Sequence, residues 1–232
     1  MFALRRAQDR GHADLGWLNS YHTFSFGDYY DPRHLGVSNL RVINDDTVAP
    51  GGGFSTHGHS DMEIVSYVLA GALEHKDSMG NGSVIRPGDL QLMSAGTGVR
   101  HSEYNHSATE PVHFLQIWLQ PNETGVRPGY DQRYFAPEDR QGRLALLVSP
   151  DGRDGSMPSH QDALLYGTLL RAEDRLRHEL TPGRIAYVHL ARGSAKVNGE
   201  LLEAGDGAAI TDARGVTLDG IGSTELLLFD LP

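Results

Sequence analysis

Cysteine is absent from the 232-residue sequence. That excludes disulfides, thiolate catalysis, cysteine-ligated zinc and iron–sulfur clusters, so any bound metal must be held by nitrogen and oxygen. Positive charge is scarce as well. Twenty Lys and Arg against 30 Asp and Glu leave a net charge of −10, and without a basic face direct nucleic-acid binding is not expected. Long apolar runs are missing. The longest, ELLLFDLP near the C-terminal end, falls far short of the roughly 20 residues a membrane-crossing helix needs, so no membrane partner is expected. The opening MFALRRAQDRGHADLGW carries no apolar core or cleavage site of a secretory signal, and a cytoplasmic location is the expectation.

What is present is glycine, proline and histidine. The 28 glycines and 11 prolines imply many turns and suit a β-rich chain better than a helical bundle. Helical periodicity is weak throughout. Residues 63–85, EIVSYVLAGALEHKDSMGNGSVI, read as strand, turn at Ala70-Gly71, strand, tight turn at Met79-Gly80-Asn81-Gly82, strand. RPGDLQLMSAGTGVRHSEYN (86–105) is turn, strand, glycine turn, strand, with Gly96 and Gly98 serving the turn before His101. PVHFLQIWLQP (111–121) supplies one more strand. NETGVRPGYDQR (122–133) is polar with Gly and Pro and reads as a linker, dividing the chain into residues 1–125 and 126–232. Short strands resume beyond it, spaced as in a sandwich or barrel. A weak internal echo, VLAGALEH…NGSVIRPGDLQLMSAG against HLARGSAKVNGELLEAGDGAAITD, implies two related β domains.

Nine of the 12 histidines lie in the first 113 residues. In the stretch GGGFSTHGHSDMEI (51–64), His57 and His59 stand two residues apart. On a strand they project from one face. His101 and Glu103, in GVRHSEYN, repeat that spacing. Two such strands side by side bring three imidazoles and one carboxylate to a point. That set suits Fe, Mn, Ni, Cu, Zn or Co and leaves coordination positions open for water or substrate. A lone H-x-H on a strand is ordinarily a surface or hydrogen-bonded pair; the second pair raises the metal reading. Parity alone admits Glu63 as well as Glu103.

Residues 51–71 resemble the first cupin motif: Gly, five residues, H-x-H, three residues, Glu, then a strand ending in Gly. The spacing from Glu63 to Gly71 is one residue longer than the commonest form. Residues 86–105 resemble the second motif, with Gly98, two residues, His101, three residues and Asn105. HGHSDMEIVSYVLAGALEHKDSMGN and GDLQLMSAGTGVRHSEYN are close to stretches of the pirin family, and HTFSFGDYYDP and LRVINDD resemble its bacterial, quercetinase-like branch. The resemblance implies an all-β bicupin: two jelly-roll-like β-barrels with few short helices. The first, 1–125, binds metal and the second, 126–232, has no ligands. It implies one divalent ion, Fe(II) foremost, held by His57, His59, His101 and Glu103, with Glu63 an outer acceptor that could orient a ligand imidazole. It implies oxygenation of a flavonol such as quercetin by O2, opening the central ring and releasing CO, with Glu103 as the base. It also implies an alternative, a non-enzymatic iron or redox sensor acting through a protein partner.

Phe24, Phe26, Tyr29, Met93, Phe114 and Trp118 are candidates to line an aromatic pocket, although aromatics alternating on strands are usually core. His22, His75, His106 and His113 read as structural or surface residues. DGRDG (151–155) lacks the spacing and terminal Glu of a calcium loop and reads as a turn.

Overall fold

Successive side chains of the strand Glu63–Ala70 go to two different cores. Val65, Tyr67 and Leu69 belong to a 21-residue buried cluster. Ile64 and Val68 belong to smaller clusters on the other face. With both faces covered, the run stays apolar without alternating, and its β-branched content makes it a strand. The computed structural model describes all residues from Met1 to Pro232. Its one α-helix is Pro137–Arg140, with two 3-10 turns at Ala7–Asp9 and Arg153–Gly155; every other regular element is a strand. No helix is long and apolar enough to cross a membrane.

The strands form two copies of one arrangement, a seven-stranded sheet facing a four-stranded sheet. In the first copy the large sheet runs Gly129–Tyr134, Asp89–Ser94, Glu63–Ala70, Val112–Leu119, Leu40–Val48, Leu18–His22, Gly11–Asp14. The small sheet runs Gly53–His59, Val99–Asn105, Leu73–Asp77, Gly82–Ile85. The second copy repeats both orders, with Phe2–Arg5 at the edge that Gly129–Tyr134 holds in the first. Each half is thus a two-sheet jelly roll, hydrogen-bonded as separate sheets rather than as one closed barrel. The echo in the sequence is a structural duplication.

The two outer strands are exchanged. Phe2–Arg5 pairs antiparallel with Gly207–Ile210 of the second half. Gly129–Tyr134 pairs with Asp89–Ser94 of the first. The polar segment 122–133 is therefore not linker throughout. Its latter part is an edge strand, half-buried along its length, and an edge strand with one open side carries polar residues for that reason. A division at 125/126 leaves this strand apart from the sheet it completes.

Both large sheets turn their outer faces to each other, and the 21-residue cluster fills the space between them with Val65, Tyr67, Leu115, Ile117, Leu227 and Phe229 among its members. Two buried carboxylates tie across this interface. Glu63 accepts from Ser94 Oγ (2.8 Å) and from the backbone N–H of His160 (3.3 Å) in the second half. Glu225 accepts from the Tyr67 hydroxyl, from Arg140 (3.1 Å) and from Arg192 (3.3 Å).

The second jelly roll is filled by a 14-residue apolar cluster that includes Val188, Leu190, Val216, Leu218, Leu226 and Leu228. The first is different. Across its large sheet one register row reads His22, Asn44, Gln116, Ser66, Gln91, each directly opposite the next. All five side chains are buried. A polar row through a core is costly unless each group is hydrogen-bonded, and this one leads to the histidines.

Candidate metal centre

His57 and His59 lie on the strand Gly53–His59, and His101 and Glu103 on its antiparallel neighbour Val99–Asn105. His57 stands opposite His101, and His59 opposite Val99. Between His101 and Glu103 the register shifts, so that Glu103 faces Phe54. The extra residue sits on the H-x-H strand, a bulge that re-aims the side chains beside it. It also lets His57 Nδ1 donate back to the Ser55 carbonyl at 2.8 Å, leaving Nε2 of His57 with its lone pair. Gly96 turns the chain into the His101 strand at φ 45°, and a Cβ there would strike the Val126 carbonyl.

The three imidazoles converge. Their ring centroids lie 4.5, 4.8 and 4.9 Å apart, and one nitrogen of each falls within 4.8 Å of the others. Glu103 is not in that trio. It joins His75 and His101 in a second group within the same 4.8 Å. Gln116 Nε2 donates to its Oε2 at 2.8 Å, and Ser66 Oγ lies 3.1 Å from its Oε1 and from Gln116 Oε1, sharing one proton between them.

The tautomer of His101 follows from its neighbours. Asp77 is held below the usual carboxylate range: burial raises it, but hydrogen bonds from Asn81, His75 and the Met79 N–H outweigh that. A carboxylate only accepts, so His75 Nε2 carries the proton toward Asp77 Oδ2, 3.2 Å away. His75 Nδ1 is then an acceptor, taking Gln91 Nε2–H at 3.1 Å and facing His101 Nδ1 at 3.4 Å. His101 therefore bears its proton on Nδ1. Its Nε2 lone pair is buried and has no hydrogen-bond partner. Burial, then the nearby histidines, pushes His101 down to about 3; burial and His57 push His59 down to about 4. Both rings are neutral donors at pH 7. An orphaned, buried imidazole lone pair beside two more imidazoles fits a divalent cation.

His57, His59 and Glu103 border a cavity of about 530 Å³ shared with Phe26, Phe54 and Trp118, with His101 buried behind them. Trp118 stands edge-on to His59 at 5.0 Å and to Phe26 at 5.3 Å. Of the aromatic candidates, Phe26, Tyr29 and Trp118 line this cavity, whereas Phe24, Met93 and Phe114 are fully enclosed in core clusters. His106 pairs with Glu74 at the surface and His113 with Asp45. His22 lines the cavity and His75 buttresses His101, two placements the sequence reading missed. So are Asn44, Asp46 and Gln116, which line the same cavity.

Glu63 lies elsewhere. Between His59 and Glu63 the chain leaves the small sheet for the large one, with Asp61 at φ 46°. The strand parity restarts, and Glu63 emerges on the interdomain face with Val65 and Tyr67. Its carboxyl is raised by burial, but its bonds go to Ser94 and His160 and not to any imidazole.

Comparisons with known proteins agree with this architecture. The Pirin family profile matches residues 3–119, and a quercetinase C-terminal cupin domain profile matches residues 146–231. The chain is 49% identical over its whole length to a quercetin 2,3-dioxygenase of Escherichia coli K12, covering 99% of that protein. It is 42% identical to a pirin-like protein of Caulobacter vibrioides, with 95% of each chain covered. Among solved structures, the bacterial pirin YhhW of Escherichia coli in complex with nickel(II) superposes with a TM-score of 0.96 at 48% identity, covering 100% of this chain and 99% of that one.

Proposed function

The chain belongs to the pirin family, with two cupin-type domains, and from that premise we propose that it is a metal-dependent dioxygenase of the quercetin 2,3-dioxygenase type. The ion is held by His57, His59, His101 and Glu103, and Fe(II) is the ion proposed. The observation that carries this reading is the unpartnered, buried Nε2 of His101 beside two other imidazoles, His57 and His59, which themselves line a largely apolar cavity.

Both atoms of O2 enter a flavonol, two bonds of its central ring break, and the carbon between them leaves as CO. The bound ion would supply the Lewis acidity that makes the flavonol 3-hydroxyl, next to the 4-carbonyl, easier to deprotonate. The chain's own residues do the rest. Glu103, buried beside His101, accepts the proton. Gln116 and Ser66 fix the orientation of that carboxyl while leaving each oxygen a free lone pair. His57 is oriented by the Ser55 carbonyl and His101 by His75. Trp118 and Phe26 exclude water around a flat aromatic guest.

Protein loaded anaerobically with Fe(II) and then given quercetin in air is expected to consume the flavonol with one CO released per molecule lost. Quercetin loss and CO no greater than with free Fe(II) would remove the oxygenase reading.

The chain Asp77–His75–His101 carries its own prediction. His75→Ala is expected to weaken Ni(II) binding about 10- to 100-fold, the usual effect of removing a partner that orients a ligand. His75→Asn, which returns an acceptor facing His101 Nδ1–H, is expected to recover part of that loss. Competition against a chelating dye measures both. Wild-type affinity in the alanine variant would show that His75 does not orient the ligand.

A further inference from the structure

The cavity holds more polar capacity than the metal chemistry uses. On the large sheet opposite the H-x-H strand, Asp46 is buried and borders the cavity. One of its oxygens accepts from Ser20 Oγ, while the other, Oδ2, makes no hydrogen bond. Beside it, His22 Nδ1 donates to Asn44 Oδ1 at 2.9 Å. That bond leaves His22 Nε2 as an acceptor and Asn44 Nδ2 as a donor, and neither has a protein partner. Ser20, His22, Asn44 and Asp46 are neighbours on two paired strands, Ser20 opposite Asp46 and His22 opposite Asn44. The equivalent second jelly roll is filled with apolar side chains instead. His22 also stacks toward Tyr29, with centroids 6.4 Å apart, and tilts against Phe26 at 5.4 Å. Two free acceptors in an aromatic frame call for a ligand carrying aromatic O–H groups, because a closed complex leaves them unsatisfied otherwise.

We propose that Asp46 and His22 accept a hydrogen bond from a ring hydroxyl of the substrate remote from its metal-binding edge, and so select polyhydroxylated flavonols over those with the 3-hydroxyl alone. The inference rests on the flavonol reading above and names the substrate subclass. The spacing suits it. Asp46 lies one strand and two residues from Gln116, which holds Glu103. In a sheet that is a separation of roughly 8 Å, the span of two linked aromatic rings.

The test uses Ni(II)-loaded protein without O2, so that binding is read apart from turnover. The probes are 3-hydroxyflavone and kaempferol, which share the 3-hydroxyl and 4-carbonyl; kaempferol adds outer-ring hydroxyls without a chelating catechol. At pH 8.5, above the value of about 7 to which burial raises the Asp46 carboxyl, wild type is expected to bind kaempferol about 10- to 100-fold more tightly than 3-hydroxyflavone, the worth of a hydrogen bond to a charged acceptor. Asp46→Ala is expected to bring that ratio below about 3 by weakening kaempferol alone. Asp46→Asn, near in shape, gives an intermediate ratio and carries the test if the alanine variant does not fold. An unchanged ratio, or equal weakening of both probes, overturns the assignment while leaving the flavonol reading intact. Binding of neither probe by wild type removes the flavonol reading and this inference together.

Discussion

His101→Ala is expected to abolish measurable flavonol turnover and to lower affinity for a divalent ion by more than about 100-fold. Removing an outer partner of a ligand already costs 10- to 100-fold, and here a proposed ligand itself is lost. His101 is the most buried of the three imidazoles. Its Nε2 has no protein partner to replace, so the ring's polar group is satisfied only when a cation is bound. The alanine would leave His57 and His59 on one strand and Glu103 on the other, one imidazole short of the proposed set. Titration with Ni(II) and CO release under Fe(II) loading read the two effects separately. His106→Ala removes an exposed ring paired with Glu74 and is expected to leave both unchanged. An alanine variant at position 101 that binds within 10-fold of wild type would show that the imidazole is not a ligand.

The second large effect is on stability and lies between the jelly rolls. Glu225→Ala is expected to destabilise the protein by about 3–5 kcal/mol. The Glu225 side chain is nearly enclosed and so is Arg140. Their pair is joined by the Tyr67 hydroxyl and by Arg192, which also donates to the Leu69 carbonyl. Without the carboxylate, the Arg140 guanidinium stays buried with no counter-charge, and its Nε already lacks a partner. Such a loss is a large share of a typical stability of roughly 5–15 kcal/mol. For a chain of this length it corresponds to a melting point lower by about 10 °C. The double variant Arg140→Leu, Glu225→Leu is expected to recover most of it, because a buried ion pair is often no better than apolar residues of similar volume. Tyr67 and Ser66 are adjacent on their strand and so face opposite sides of the sheet. Ni(II) affinity should therefore be unaltered in both variants. Thermal unfolding followed by circular dichroism decides it: a single variant within 1 kcal/mol of wild type would show that the cluster does not hold the halves together.

The legibility of the sequence differed from one feature to the next, for local physical reasons. The H-x-H and His-x-Glu pairs could be read because side-chain direction within one strand depends only on parity. The convergence of the three rings follows from the pairing of two strands 42 residues apart, which the turn signals between them made plausible. Glu63 misleads on the same rule. Parity holds within a strand and is lost across the break at Ser60–Met62, where the chain changes sheets.

The exchanged edge strands could not be read. Phe2–Arg5 and Gly129–Tyr134 are short, and nothing local names a partner that lies about 200 residues away in one case and about 40 in the other. The polar character of the second instead reads as linker. The buried polar row was half visible. Ser66, Gln91 and Gln116 are single polar residues inside the otherwise apolar strands EIVSYVLA, DLQLMS and VHFLQIWL. A lone polar residue in a doubly buried strand is unfavourable without a partner, and three of them signal a site. What the sequence lacks is register: only the ladder shows that they form one row with Asn44 and His22, reaching Glu103 through Gln116 and His101 through Gln91 and His75.

The most direct test of the central claim is X-ray absorption at the metal edge of protein loaded one-to-one with Fe(II) or Ni(II). The account predicts nitrogen and oxygen neighbours at about 2.1 Å, with the multiple-scattering pattern of three imidazole rings. That pattern should fall to two rings in any residual ion bound by His101→Ala. A shell of oxygens alone, or a single imidazole in the wild type, would contradict it.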